Sequence, residues 1–436
     1  MRAPKRVLII TYYWPPSSGS GVQRWLKFAK YLPQFGWDPV IFTPENPDFE
    51  LKDPSLLCEV DPQLEVLRFP IWEPYQLFRY LKKDGIKDPS VILERRKKSW
   101  LDRLAIWIRA NTLIPDPRVF WVRPSVKFLR EIAEVNNFAA IITTGPPHSM
   151  HLIGRNLKRA TGLPWLADFR DPWSAWEFLD TLPMTAGVRA KHRQLEDSVF
   201  SEADALMTIS PTFQEEMKQL TNRPVHLLTN GFDEADLPSD FSYKQESYDI
   251  FEVVYTGVID AIRNPLPFLH AFREVFQKSG EAVRLTFVGK VSDQVKEFVA
   301  KDPWLAQRTV FPGYISHEAV FTYYGKAHLL LLILTDTKNA KGNIPGKLFE
   351  YLATGRRIIA LGDAEGDAAK LIHHAEAGRV ISHTKPREIE RFLSLAFELR
   401  RTNPPRKGVG RYSRRNLTGS LAEILREIEL AKDGKE

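Results

Sequence analysis

Phe251-Glu-Val-Val-Tyr-Thr-Gly257 decides the fold: a short apolar run closed by a glycine, the pattern of a buried parallel strand ending in a tight turn. A helical stretch follows around Leu266–Gln277. Strands at Val283–Gly289, Ala327–Leu334 and Arg357–Leu361 each have a helix nearby. Upstream, the same alternation has already run once. Val7–Thr11 leads through the turn-rich loop Tyr12–Gly21 into a helix in which Val22, Trp25, Leu26, Ala29 and Leu32 share a face. Strands at Pro39–Thr43, Ala139–Thr144, Trp165–Asp168, Ala205–Ser210 and Val225–Thr229 complete that series. Alternating strands and helices predict an α/β fold with parallel sheets, and the restart at Phe251 predicts two of them. Polar Tyr243–Asp249 puts the boundary near residues 235–248, and a last helix is expected over Arg411–Lys432.

The 436 residues suit two domains, and 43% hydrophobic with 26% charged content excludes wholesale disorder. A single cysteine, Cys58, excludes a disulfide framework and a cysteine-built zinc site. Val7–Ile10 is too short for a signal-peptide core, and Leu329–Leu334 is too short to span a bilayer. The expectation is a cytoplasmic protein without its own anchor.

The net charge of +7 is local. Arg68–Arg130 carries 15 Lys/Arg against 6 Asp/Glu, and the remainder is slightly acidic. This insert, about residues 72–130, holds the basic run Arg95–Lys98 and a helix that Ser99 caps. Trp100, Leu101, Leu104, Trp107 and Ile108 form one face of that helix, with Arg103 and Arg109 toward the other. Residues 95–109 therefore read either as a helix lying on an anionic membrane at its inner face or as an ordinary core-packed helix. Nucleic acid is disfavoured, because the basicity is confined to one aromatic-rich insert without a reading module.

Several chemistries are missing from the sequence. No GxGxxG follows the first strand, no GxxxxGK[ST] occurs, and no Asp-x-Asp pair offers a metal-diphosphate clamp. His148 and His151 lack the companions of a metal pair. Three segments remain. Gly19 and Gly21 precede a helix N-terminus, which attracts anions. Gly257 ends a strand, and Arg263 and Asn264 follow, where ligands of parallel sheets bind. Gly342-Asn-Ile-Pro-Gly-Lys347-Leu-Phe-Glu350 puts Lys347 in a helix's first turn for phosphate, with Glu350 three residues on for a ribose diol.

The order of these features resembles glycosyltransferases of the GT-B fold, in the family-4-like bacterial group that builds surface glycans. The matching pieces are the first-strand glycine loop, Ala203–Pro211, Asn230–Asp233, Tyr255–Pro265, Pro345–Gly355 and Gly362–Leu371, in sequence over almost the whole chain. The resemblance implies two Rossmann-like domains with a cleft between them. Residues 1–240 would hold the acceptor and 249–410 the nucleotide-sugar donor, with 411–436 a helix returning to the first domain. It implies hexosyl transfer with retention to a surface-glycan or lipid-linked acceptor, with no cofactor and no metal. Glu350 would hold the donor ribose, Arg263 and Lys347 would neutralise the diphosphate, and Gly21 would offer its backbone near it.

The sequence departs from the family's pattern at three places. Gly342 stands where many members have a second glutamate, and Val258 where a basic residue often follows the strand glycine. Asp168-Phe-Arg170-Asp171-Pro-Trp173 replaces a mid-domain histidine, so Asp168, Arg170, Asp171 and neighbouring His148 become the catalytic candidates, against a structural Asp168–Arg170 ion pair. Gly342 also motivates an alternative: a catalytically silent nucleotide-sugar-binding scaffold at the membrane. An epimerase of the same fold is a weaker third reading.

Overall fold

Seven parallel strands form the first sheet: β1 (Lys5–Ile10), β2 (Trp37–Pro44), β3 (Glu65–Phe69), β4 (Ala140–Gly145), β5 (Trp165–Phe169), β6 (Ala205–Thr208) and β7 (Val225–Leu227), in the order β3-β2-β1-β4-β5-β6-β7. Six more form the second: β8 (Phe251–Thr256), β9 (Val283–Val288), β10 (Thr309–Gly313), β11 (Leu329–Ile333), β12 (Arg357–Leu361) and β13 (Gly378–Ile381), in the order β10-β9-β8-β11-β12-β13. This computed structural model describes residues 4–49, 51–73, 100–238, 249–260, 262–405 and 407–433. Both sheets are of Rossmann-like type, so the architecture is the two-domain α/β arrangement expected from the sequence.

The chain divides into two units, Met1–Thr229 with Arg414–Glu436, and Asn230–Ser413. In the first unit, β1, β2 and β4 are buried on both faces, so they read as continuous apolar runs. The last helix, Arg414–Asp433, belongs here. Its Leu417, Leu421 and Leu425 enter the same core as Val22, Trp25 and Leu26 of the Ser20–Tyr31 helix. In the second unit, Val253, Tyr255, Leu329 and Leu331 form one side of the sheet's packing, and Val254, Leu330 and Leu332 the other.

Strand order reverses between β1 and β4 in one unit and between β8 and β11 in the other. At such points the connections leave in opposite directions and a crevice opens beyond the carboxyl ends of the strands. The glycine loop after β1 and Gly257 after β8 sit at these two reversals.

The first unit also contains the helix Trp100–Thr112. Its Trp100 (71% exposed), Leu104, Trp107 (46%) and Ile108 face solvent, so this stripe is not packed on a core. Ser99 and the run Arg95–Lys98 lie outside the described residues, as does the side chain of Leu101.

Candidate functional site

The second unit collects the expected donor residues at the end of β8. Gly257 has φ 115°, a conformation that favours glycine, and a Cβ there would come within 2.6 Å of Lys347 Nζ. Lys347 lies in the first turn of the helix Gly346–Thr354. Its ammonium donates to the Thr256 carbonyl and rests 4.1 Å from the centroid of the Tyr255 ring. Tyr351, on the same helix, accepts from the Thr256 amide at 3.1 Å and donates to the Leu331 carbonyl at 3.2 Å. The helix start is thereby pinned to β8 and β11.

Burial and then the nearby Arg263 push the Lys347 ammonium down to about 7, with Glu350 and Asp260 opposing. Arg263 is half-buried and pairs with Asp260 at 2.6 Å. Glu350 faces His317 Nε2 at 3.0 Å and accepts from the Tyr324 hydroxyl at 2.9 Å. Thr256 Oγ1 lies 3.1 Å from that hydroxyl, so a hydrogen-bonded chain fixes the carboxylate. Asn264 is different: its side-chain oxygen accepts from the Leu266 amide at 3.0 Å, at the start of the Leu266–Ser279 helix. That bond closes an Asx turn that leads into the helix.

In the first unit the glycine loop meets Arg170. Gly19, at φ 113°, starts the Ser20–Tyr31 helix. A Cβ on Gly21 would lie 1.6 Å from Arg170 Nη1. Here the missing side chain makes room for a guanidinium of the protein itself. Arg170 Nε donates to the Gly145 carbonyl at 3.2 Å and Nη2 donates to Pro146. Asp171 beside it is half-buried and has no hydrogen-bond or ion-pair partner among the described residues. Burial pushes its carboxyl up, against the pull of Arg170.

Asp168 corrects the sequence reading. It is completely buried and bonded to Arg24 Nε at 3.2 Å, Arg24 Nη2 at 3.1 Å, Trp25 Nε1 at 3.0 Å and Thr144 Oγ1 at 2.9 Å. Arg24 also donates to the carbonyls of Leu228 and Thr229. A carboxylate so enclosed has its oxygens taken up by groups of the protein's own core. The structural pair exists, but its cation is Arg24 instead of Arg170.

His148 is 6% exposed, lies parallel to Trp173 with ring centroids 4.7 Å apart, and leaves both ring nitrogens without a hydrogen-bond partner among the described residues. Burial and then His151 depress its basicity. His151 bonds Thr143 Oγ1 at 2.9 Å and stacks on Phe169, and burial followed by Arg170 takes it down to about 3. Both imidazoles are therefore neutral at pH 7.

His148 lines a cavity of about 450 Å³ within this unit, with Tyr13, Arg118, Trp173, Trp176 and His192. Arg170 and Asp171 do not line it. Behind Arg118 stands a buried cluster: Glu73 pairs with Arg118 at 3.0 Å and accepts from the Tyr12 hydroxyl at 2.9 Å. Sequence reasoning missed His317, Tyr324, Tyr12, Glu73, Arg118 and His192. Only the fold brings Glu73 to Arg118 or His317 to Glu350, and no spacing signals either pair.

Comparison with known proteins covers both halves. Residues 19–231 match the family described as glycosyl transferase 4-like domain, and residues 251–395 match glycosyl transferases group 1. No curated protein matches the chain. Among solved structures it is similar to sucrose-phosphate synthase from Thermosynechococcus elongatus, with TM-score 0.67, 14% identity, and coverage of 98% of this chain and 100% of that one. A glycosyltransferase from Rickettsia africae gives TM-score 0.60 and 14% identity over 98% and 99% of the two chains. HepE of Anabaena, in complex with UDP and glucose, gives 0.62 and 13% over 97% and 100%.

Proposed function

We propose a donor half and an acceptor half for this chain from one premise: it belongs to the glycosyltransferases of GT-B fold whose 4-like and group 1 domains match its two halves. The second unit takes a nucleotide sugar. Lys347 and Arg263 face its diphosphate, and Glu350 accepts from the ribose hydroxyls. Charge develops on the leaving diphosphate in the transition state, and preorganised cations lower its energy there. No metal is assigned to this step, and the sugar is a hexose moved with retention. HepE, which holds UDP and glucose on the same fold, supports a uridine nucleotide as the first to try.

The first unit takes the acceptor, a surface glycan or a lipid-linked precursor, at the inner face of the membrane. His148 offers a neutral, unpartnered imidazole to an acceptor hydroxyl. Asp171, an unpartnered half-buried carboxyl, and Arg170 are assigned to the reacting groups near the Gly19–Gly21 loop.

The observation that carries the reading is Lys347 held against the end of β8 with Glu350 one turn along. A thermal-shift panel of nucleotide sugars tests it, since a bound donor stabilises the fold by mass action. At least one should raise the melting temperature of the wild-type chain and none that of Lys347→Met. The scaffold reading rests on Gly342, which is buried and has no side chain at the position where the resemblance expects a second glutamate in many members. Donor hydrolysis or transfer by the purified chain excludes that reading.

A further inference from the structure

The second sheet carries a basic cluster that the donor site does not use. β12 begins at Arg357 and β13 at Gly378, so this is the edge where the amino ends of the strands lie. Gly257 and Lys347 stand at the other edge, beyond the carboxyl end of β8. Alternation along a strand puts Arg357 on the face of Ile359 and Leu361, and Arg379 on the face of Ile381. Those three apolar residues share a core with Ile389 and Leu393 of the helix Pro386–Glu398. Both arginines therefore lie on the sheet face that this helix covers. On the helix itself, Glu388, Arg391, Phe392 and Leu395 recur at helical spacing. With His373 and His374, from the last turn of the helix Asp367–His374, they enclose a cavity of about 850 Å³.

The cations of this cavity are unanswered. The side chains of Arg357, Arg379 and Arg391 all line it, and none has a hydrogen-bond or ion-pair partner among the described residues. Its two carboxylates are already engaged: Glu376 pairs with Lys407, and Glu388 pairs with Lys385 at 2.9 Å. Neither lysine lines the cavity. Arg357 is half-buried, and burial lowers its basicity, so its charge sits where water solvates it poorly. Arg379 and Arg391 are exposed beside it, and like charges gathered around one concavity repel. An anion relieves both costs.

The shape of the donors narrows the anion. A guanidinium is a planar fork that meets phosphate through two parallel hydrogen bonds. A phosphate monoester brings about −1.5 to −2 charge at pH 7 and three acceptor oxygens, enough for several forks at once. A carboxylate brings one charge and two oxygens, and leaves more of the cluster unanswered. Phe392 and Leu395 supply an apolar wall for the esterified group.

We propose that this cavity binds a phosphate monoester through Arg357, Arg379 and Arg391, at the opposite edge of the sheet from Lys347. The monoester comes from a free small molecule or from a lipid headgroup, and the chemistry recognised is the same. The inference shares no residue with the donor assignment and stands apart from it.

Calorimetric titration of the full chain with glycerol 3-phosphate tests it. Wild type and Lys347→Met should bind the probe alike, because the donor-site ammonium takes no part. Arg379→Gln/Arg391→Gln alters two exposed side chains and should weaken the probe at least about tenfold, the value of one hydrogen bond between charged groups. Arg357→Gln should do the same. UDP binding by the double variant should match the wild type. A second arm sediments the chain with vesicles containing phosphatidic acid, a monoester, or phosphatidylglycerol, a diester. Preference for phosphatidic acid that the double variant loses assigns the headgroup source, and glycerol 3-phosphate binding without that preference assigns a free ester. The inference is overturned if neither probe binds, or if the double variant binds both as the wild type does. It is equally overturned if Lys347→Met abolishes binding, or if succinate binds as tightly as glycerol 3-phosphate.

Discussion

Arg170 occupies the space that a side chain at Gly21 would need, its Nη1 standing 1.6 Å from where the Cβ would lie. The two residues come from the first turn of the Ser20–Tyr31 helix, which follows β1, and from the position just after β5, so the contact joins elements around the strand-order reversal. Gly21→Ala must expel the guanidinium from the Gly145 and Pro146 carbonyls and should cost about 1–3 kcal/mol. Because Arg170→Ser vacates the space, the double variant should recover most of the loss. Denaturant unfolding of the four chains in that cycle measures the coupling, and strict additivity would deny the contact.

Asp168→Ala strands the Arg24 guanidinium in a fully buried site. Breaking such a pair by removing one partner costs on the order of 3–5 kcal/mol. Urea midpoints of the variant and wild type check this. A variant of unchanged stability that had lost only turnover would return Asp168 to the catalytic group.

Acid should loosen the first unit through His151. Folded, its imidazole stays neutral down to about pH 3, whereas an unfolded histidine takes a proton near 6.5. The folded pKa is depressed, so the unfolded state binds more protons below 6.5, and stability is full above that pH and declines beneath it. At pH 5 the loss from this residue is about 2 kcal/mol. Unfolding of wild type and His151→Gln at pH 7 and pH 5 isolates that share from the carboxylates, and parallel losses in both chains would refute it.

Glu350 separates ribose from phosphate recognition. Glu350→Ala should weaken UDP by about 10–100-fold, the value of hydrogen bonds to a charged acceptor, and leave pyrophosphate binding near wild type. Calorimetry with both ligands decides this. Equal losses for both would mean that the carboxylate acts by orienting Lys347.

Much of this was legible in the sequence. The long apolar runs of β1, β4, β8 and β11 announce themselves because strands buried on both faces need them. The strands not anticipated were β3, β10 and β13, all at sheet edges and only partly buried, where Glu65, Pro312 and Arg379 interrupt the pattern. That Lys347 and Glu350 lie together was legible because they share one helix, whereas Gly21, expected to offer its backbone to a diphosphate, lies in the first turn of the Ser20–Tyr31 helix against Arg170. Asp168 was misread because its partner lies 144 positions away on the Ser20–Tyr31 helix, while Arg170 stands two residues off. Nearness along the chain pointed to the wrong cation.

The central claim is that Lys347 meets the donor's diphosphate, and its depressed basicity makes that measurable. Free, the ammonium loses its proton around pH 7, mainly because it is buried. A diphosphate beside it favours the charged form, so the bound pKa is higher and binding takes up a proton between the two values. Affinity for UDP should therefore be greatest below pH 7 and fall as pH rises above it, by at most tenfold per pH unit. Titration calorimetry at pH 8, in two buffers of different ionisation enthalpy, reads the proton directly. The account predicts uptake approaching one proton per UDP in the wild type and none in Lys347→Met. Binding without proton uptake, or with the same uptake in the variant, would contradict it.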